Sequence, residues 1–237
     1  MDYNKKLSEL YNSKIDSLIN LFSELNNSEI ESDKDFSWPL LIHVWEEEYE
    51  KAPVKLMVFG QETNGWDNHT ESRIERNTAE TLINEYKLHN MGRHRMSSPF
   101  WRTVHLLNNK LGNPDSNCFV WNNILKFGKE CGSGNPSDHV IAAEMKYLNI
   151  IADEVKILQP DVCVFLTGPN YDSDIKNKFP DVEFLPVEGF EPNWLVQVKS
   201  EYLPKTSFRT YHPQYGNTKN DIYRTVLEKI VALSKLQ

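Results

Sequence analysis

Near the N-terminus apolar residues recur at three- and four-residue intervals, at Leu7, Leu10, Tyr11, Ile15, Leu18, Leu21, Phe22 and Leu25. This spacing predicts one amphipathic helix over residues 7–26. Residues 26–36 are polar and read as a loop, and "WPLLIHVWEEEYEKA" predicts a short second helix that stops before Pro53. The pattern then changes. "VKLMVFG", "NCFVWNNIL" and "PDVCVFLTG" are continuous apolar runs bounded by proline, glycine or polar residues, the signature of strands buried on both faces of a parallel sheet. Between the second and third runs, residues 137–159 carry a helical stripe (Val140, Ile141, Met145, Leu148, Ile151, Val155 and Leu158) behind a capping Ser137 or Asp138. Further strands are predicted at "DVEFLPV" and "TSFRTYH", and a final helix from about Thr218. Strand, helix, strand implies a right-handed crossover. The expected fold is therefore α/β, a three-layer α/β/α sandwich with a central, mostly parallel sheet. Residues 1–52 form an N-terminal helical segment packed on the core, and residues 53–237 form the α/β domain.

The chain has 237 residues and is 39% hydrophobic, enough for one full core. No stretch approaches the roughly 20 apolar residues that span a bilayer, and the opening "MDYNKKLSELYNSK" lacks the apolar centre of a signal peptide, so a cytoplasmic location is expected. Cys118, Cys131 and Cys163 are too far apart for a zinc pair or a disulfide framework, and the seven histidines make no ligand pattern. Neither metal nor cofactor is implied. A net charge of −8 counts against long basic faces, although Arg93, His94 and Arg95, Lys126 and Lys129, or Lys205 and Arg209 could make a local groove.

In open parallel sheets ligands bind beyond the carboxyl ends of the strands. The turns there read "GQETNGW", "NNILKFG", "GPNY" and "HPQYGN", all polar. The first matches neither a dinucleotide loop nor a phosphate loop. Glu62 at the end of a buried strand is either a helix N-cap or a base whose pKa is lifted by partial burial. His212, held by Pro213, either caps a turn or donates to a developing anion. Asn122 and Asn123 interrupt an apolar strand, so their amides need backbone partners or a ligand with mixed donors and acceptors, such as a nucleobase edge. Phe100 and Trp101 open a helix; one can pack on the core while the other offers a stacking platform.

With these stretches in this order, the chain resembles the uracil-DNA glycosylase superfamily over roughly residues 53–235. Gly60 and Gln61 match the family's opening loop, with Glu62 where many members carry the water-activating Asp. "SPFWRTVHLL" is similar to the stretch whose aromatic, here Phe100, stacks on the extruded base. "FVWNNIL" is similar to the strand whose Asn reads the base edge, matching best at Asn122. "YHPQYGN" resembles the motif whose histidine, here His212 followed by Pro213, stabilises the departing base anion. Thr63 and Asn64 stand where members have Pro and Tyr, the Tyr excluding the thymine methyl; Gln214 replaces a serine, and Tyr215 stands where an apolar wedge is expected. The cysteines are too few for the iron–sulfur cluster of some branches. The resemblance implies hydrolysis of the N-glycosidic bond of uracil or another damaged base in DNA. A non-catalytic module of the same fold, binding nucleic acid or protein, and a hydrolase of free nucleosides are the alternatives.

Overall fold

The structure, a computed structural model, describes residues 2–64, 66, 79–130, 132, 134–216 and 220–235. Gly65, Cys131, Asn217 and Thr218 of the stretches above lie outside these residues.

The N-terminal stripe forms two helices, α1 (Tyr3–Asn12) and α2 (Ile15–Asn26). The predicted single helix breaks at the polar Asn12-Ser13-Lys14, where the Ser13 hydroxyl donates to the Leu10 carbonyl and competes with the helical ladder. The second predicted helix shrinks to α3 (Glu46–Glu50). Ahead of it Leu40, Leu41, Ile42 and Val44 are all buried, leaving no polar face for an amphipathic helix. Their amides find partners elsewhere: Leu40 N donates to Lys126 O, Ile42 N to Tyr11 Oη and Val44 N to Asn4 Oδ1.

The three apolar runs become β1 (Leu56–Gly60), β2 (Phe119–Asn123) and β3 (Val162–Phe165), with every residue buried. Helices α4 (Ala79–His89) and α5 (Pro99–Lys110) lie between β1 and β2, the latter starting on Pro99, whose missing N–H costs nothing in a first turn. The predicted helix at 137–159 is two, α6 (Asp138–Tyr147) and α7 (Ile151–Leu158). Its cap is Ser137, which accepts from Val140 N. The break brings Glu144 and Glu154 to one lysine: Glu144 Oε2 accepts from Lys126 N and Glu154 from Lys126 Nζ. On an unbroken helix, ten residues would set the two about 80° apart.

After α8 (Asp172–Lys178) come β4 (Glu183–Pro186), β5 (Leu195–Lys199) and β6 (Thr206–Thr210). A short α9 (Pro213–Gly216) and α10 (Asn220–Ser234) close the chain. The six strands form one sheet in the order β2-β1-β3-β6-β5-β4. From β2 to β6 the pairing is parallel, and β5 and β4 add an antiparallel edge. The sequence pattern does not predict β5, because Gln197 and Lys199 interrupt its apolar residues and leave no continuous run.

Strand alternation assigns the two helical layers. Asn122 bonds Glu154 of α7, which also accepts from Tyr11 of α1. Its neighbours Trp121 and Asn123 point the other way, toward Tyr86 of α4 and Trp101 of α5. The buried apolar side chains of α1 and α2 belong to the same core as the sheet. Among the described residues no helix is long and apolar enough to cross a membrane.

Candidate functional site

The carboxyl ends of the parallel strands open on a cleft of about 560 Å³. Each of the four polar turns contributes to its wall. Gly60, Gln61, Glu62, Thr63, Asn64 and Trp66 come from the end of β1, Asn123 from β2, Tyr171 from the turn after β3, and His212 and Gln214 from the turn after β6. Helix α5 adds Phe100 and Trp101.

The first turn is held from several sides. A Cβ on Gly60 would lie 2.5 Å from Asn123 Oδ1 and 3.3 Å from the Phe100 ring, so only glycine lets both close over the strand end. Gln61 Nε2 donates to Thr167 O at 2.7 Å, tying the turn to the one after β3. Thr63 is buried with its hydroxyl 2.8 Å from Ser37 Oγ, and Asn64 makes a parallel bridge to Lys129.

Glu62 faces the Tyr171 hydroxyl, which lies 2.5 Å from both Glu62 Oε2 and Asn135 Oδ1. Burial raises the Glu62 pKa above the ordinary carboxylate value and Asp174 adds to the rise, while the Tyr171 hydrogen bond and Lys129 oppose it. His212 is stacked on Phe100, ring centroids 5.7 Å apart and planes 11° from parallel. Burial lowers its pKa to about 4, so the ring is neutral near neutrality. Gln214 N donates to His212 Nδ1 at 3.3 Å, which leaves the proton on Nε2.

Two residues singled out by sequence lie off the cleft wall. Asn122 is fully buried on the opposite face, where its Nδ2 donates to Glu154 Oε2 at 2.8 Å and its Oδ1 accepts from Lys126 Nζ at 2.7 Å. Strand alternation gives the cleft to Asn123 instead. Pro213 is buried at the start of α9, behind His212. Of the expected basic groove, Lys126 and Arg209 are also buried, Lys126 on Glu154 and Arg209 in a two-pronged pair with Asp172. Arg95 and His94 do line the cleft.

The site also contains residues that sequence reasoning passed over. His89 lies among three indoles, its ring centroid 5.4 Å from Trp66, 5.1 Å from Trp101 and 5.1 Å from Trp121. Burial, with Arg95 and His94 nearby, brings its pKa to about 4. Among the described residues Trp66 Nε1, His89 Nε2 and Asn123 Nδ2 are buried without a hydrogen-bond partner, and all three residues line this cleft. Buried polar groups are almost always satisfied, so three orphans around one cavity mark a place completed by a ligand or by water. The period-two pattern of β2 could have found Trp121 with Asn123, and Tyr171 ends the polar turn "GPNY" after β3; nothing local announces His89.

No protein-family model matches the chain, and no curated protein matches it in sequence.

Proposed function

We propose that the protein hydrolyses the N-glycosidic bond of uracil or another damaged base, the base being turned out of DNA into this cleft. The observation that carries the reading is the convergence of Glu62, Phe100, Asn123 and His212 on one cavity at the carboxyl ends of β1, β2 and β6.

Phe100 would pack on the ring of the extruded base, and Asn123 would meet its edge. As the bond from sugar to base breaks, its electron pair passes to the base, and the neutral His212 donates from Nε2–H to the base oxygen that gains charge. Ionised Glu62 offsets the positive sugar, orients the water that bonds to the sugar carbon and accepts its proton. A cavity of about 560 Å³ falls in the range that holds a small organic ligand.

A nucleic-acid partner is supported by charge. Residues 90–110, the turn and helix that bring His94 and Arg95 into the cleft wall, hold Arg93, Arg95, Arg102 and Lys110 and no acidic residue within a chain of net charge −8, whereas Glu85 of α4 also lines the cleft. Such a local basic face is what attracts a phosphate backbone.

The test is release of base from end-labelled oligonucleotides carrying uracil or one of a panel of lesions, with Glu62→Gln and His212→Ala beside the wild type. Expected is release by the wild-type protein and a fall of about a hundredfold or more in each variant. Salt-dependent binding with no release of any base would replace the enzyme by a binding module, and release from free nucleosides alone would replace DNA as the substrate.

A further inference from the structure

We propose that Asn135 is a positioning residue of the cleft: its amide turns with the proton of Glu62, giving an N–H to Tyr171 when Glu62 is ionised and a carbonyl when Glu62 is protonated, so that Tyr171 grips the carboxyl in both states. That a reaction takes Glu62 through both states rests on the hydrolysis reading above; the relay itself does not.

Tyr171 Oη lies 2.5 Å from Glu62 Oε2 and 2.5 Å from Asn135 Oδ1. The hydroxyl brings one proton to these two neighbours, and neither a carboxylate nor an amide carbonyl brings another. With Glu62 ionised and Oδ1 toward Tyr171, one of the two contacts would set oxygen lone pairs against each other. Two arrangements supply the missing proton. When Glu62 is protonated, its O–H donates to Tyr171 Oη, whose own O–H donates to Asn135 Oδ1. When Glu62 is ionised, a half-turn of the amide puts Nδ2 where Oδ1 was, so Nδ2–H donates to Tyr171 Oη and Oη–H donates to Glu62. Asn135 is exposed, so water meets the half of its amide that faces away from Tyr171 in either state. Tyr171, only 6% exposed, depends on its two neighbours.

The chain holds Asn135 in place from both sides. Gly128 sits on the first turn, where a Cβ would lie 1.7 Å from Thr63 O, and Lys129 bridges Asn64. Gly134 lines the cleft, Pro136 is buried, and Ser137 Oγ donates to Asp33 Oδ1 at 2.6 Å. The charged groups facing Glu62 are Asp174, which opposes its ionisation, and Lys129, which favours it. The relay favours it as well, because two donors in series ending on a carboxylate make stronger bonds than the same chain ending on a neutral carbonyl.

The experiment is nuclear magnetic resonance on the full chain labelled with ¹³C and ¹⁵N, titrated with acid through the midpoint of the Glu62 carboxyl. The Asn135 side-chain amide signals should shift with the same midpoint as the Glu62 carboxyl carbon, and in Tyr171→Phe they should stay level. Asn135→Asp, which can only accept and adds a like charge, should raise the Glu62 midpoint by about one pH unit or more. Asn135→Ala should raise it by about half a unit. The residue is exposed, so both substitutions leave the core intact. Wild-type Asn135 signals that stay level while Glu62 titrates overturn the proposal, as do signals that follow Glu62 equally in Tyr171→Phe, or a Glu62 midpoint unmoved by Asn135→Asp. None of these readouts needs a substrate. A relay seen in a protein that releases no base stands while the hydrolysis reading falls, and base release by a protein with level Asn135 signals overturns the relay alone.

Discussion

At the scale of single residues the site depends on two ionisable groups displaced in opposite directions by burial. His212, brought to about 4, is already neutral at the pH where Glu62, raised above its usual value, is losing its proton. On the proposed mechanism Glu62 must be ionised, so the acid limb of the rate profile belongs to Glu62: activity rises with pH through its elevated pKa and is then level toward neutrality. The Tyr171 hydrogen bond favours the carboxylate. Tyr171→Phe removes that support, leaves the desolvation and the Asp174 charge, and moves the acid limb to higher pH. An unmoved limb in a pH–kcat/KM series would show that Tyr171 does not act on Glu62.

At the scale of elements, β2 carries opposite business on its two faces. Asn123 faces the cleft, while Asn122 one residue earlier joins Lys126 and Glu154 in a network from which both charged side chains are fully withdrawn from water. Tyr11 of α1 donates to Glu154 Oε1 at 2.7 Å, so the N-terminal helix completes the same network. Beside it Lys178 pairs with Glu144 at 2.5 Å, and Glu144 Oε2 also accepts from Lys126 N. Removing one partner of a buried pair leaves an uncompensated charge. Lys126→Met is expected to lower unfolding stability by about 3–5 kcal/mol, read from urea midpoints, whereas loss of an exposed pair such as Lys34–Glu31 changes it by less than about 1 kcal/mol.

At the scale of the whole molecule two properties are summed from many residues. The first is pH-dependent stability. His43, His89 and His212 each have a folded pKa near 4 against 6.5 for the free side chain. Between those values the unfolded chain binds more protons, so the stability they allow is fully present above about pH 6.5 and is lost as pH falls through about 4. Glu24 and Asp33, both lowered to about 2, extend the loss in the same direction. The denaturation midpoint should therefore be lower at about pH 4.5 than at about pH 7. The second is the uneven distribution of charge. Replacing Arg95 and Arg102 together by Glu should weaken oligonucleotide binding about tenfold or more at low salt, and the difference should shrink as salt screens the backbone. An affinity unaffected by the double substitution would place the nucleic acid elsewhere.

What the sequence alone determined was whatever depends on neighbours along the chain. Continuous apolar runs located β1, β2 and β3, and helical periodicity located most of the length of α1, α2, α6, α7 and α10. The polar turns after β1 and β6 already contained Glu62, Asn64 and His212, and the proline-led start of α5 contained Phe100. Two-residue alternation within β2 was also there to be read, but choosing between Asn122 and Asn123 requires knowing which face the cleft occupies. That is decided by where α5 and α7 pack. The same holds for the break between α6 and α7, for Lys126 and Arg209 becoming core residues rather than groove residues, for the entry of His89 and Trp121 into the site, and for the bond of Tyr171 to Glu62. Each depends on a partner far away in sequence, Tyr171 on Glu62 across 109 positions and Tyr11 on Glu154 across 143. Local pattern cannot carry that information, because burial and hydrogen-bond satisfaction are settled only when the layers close on one another.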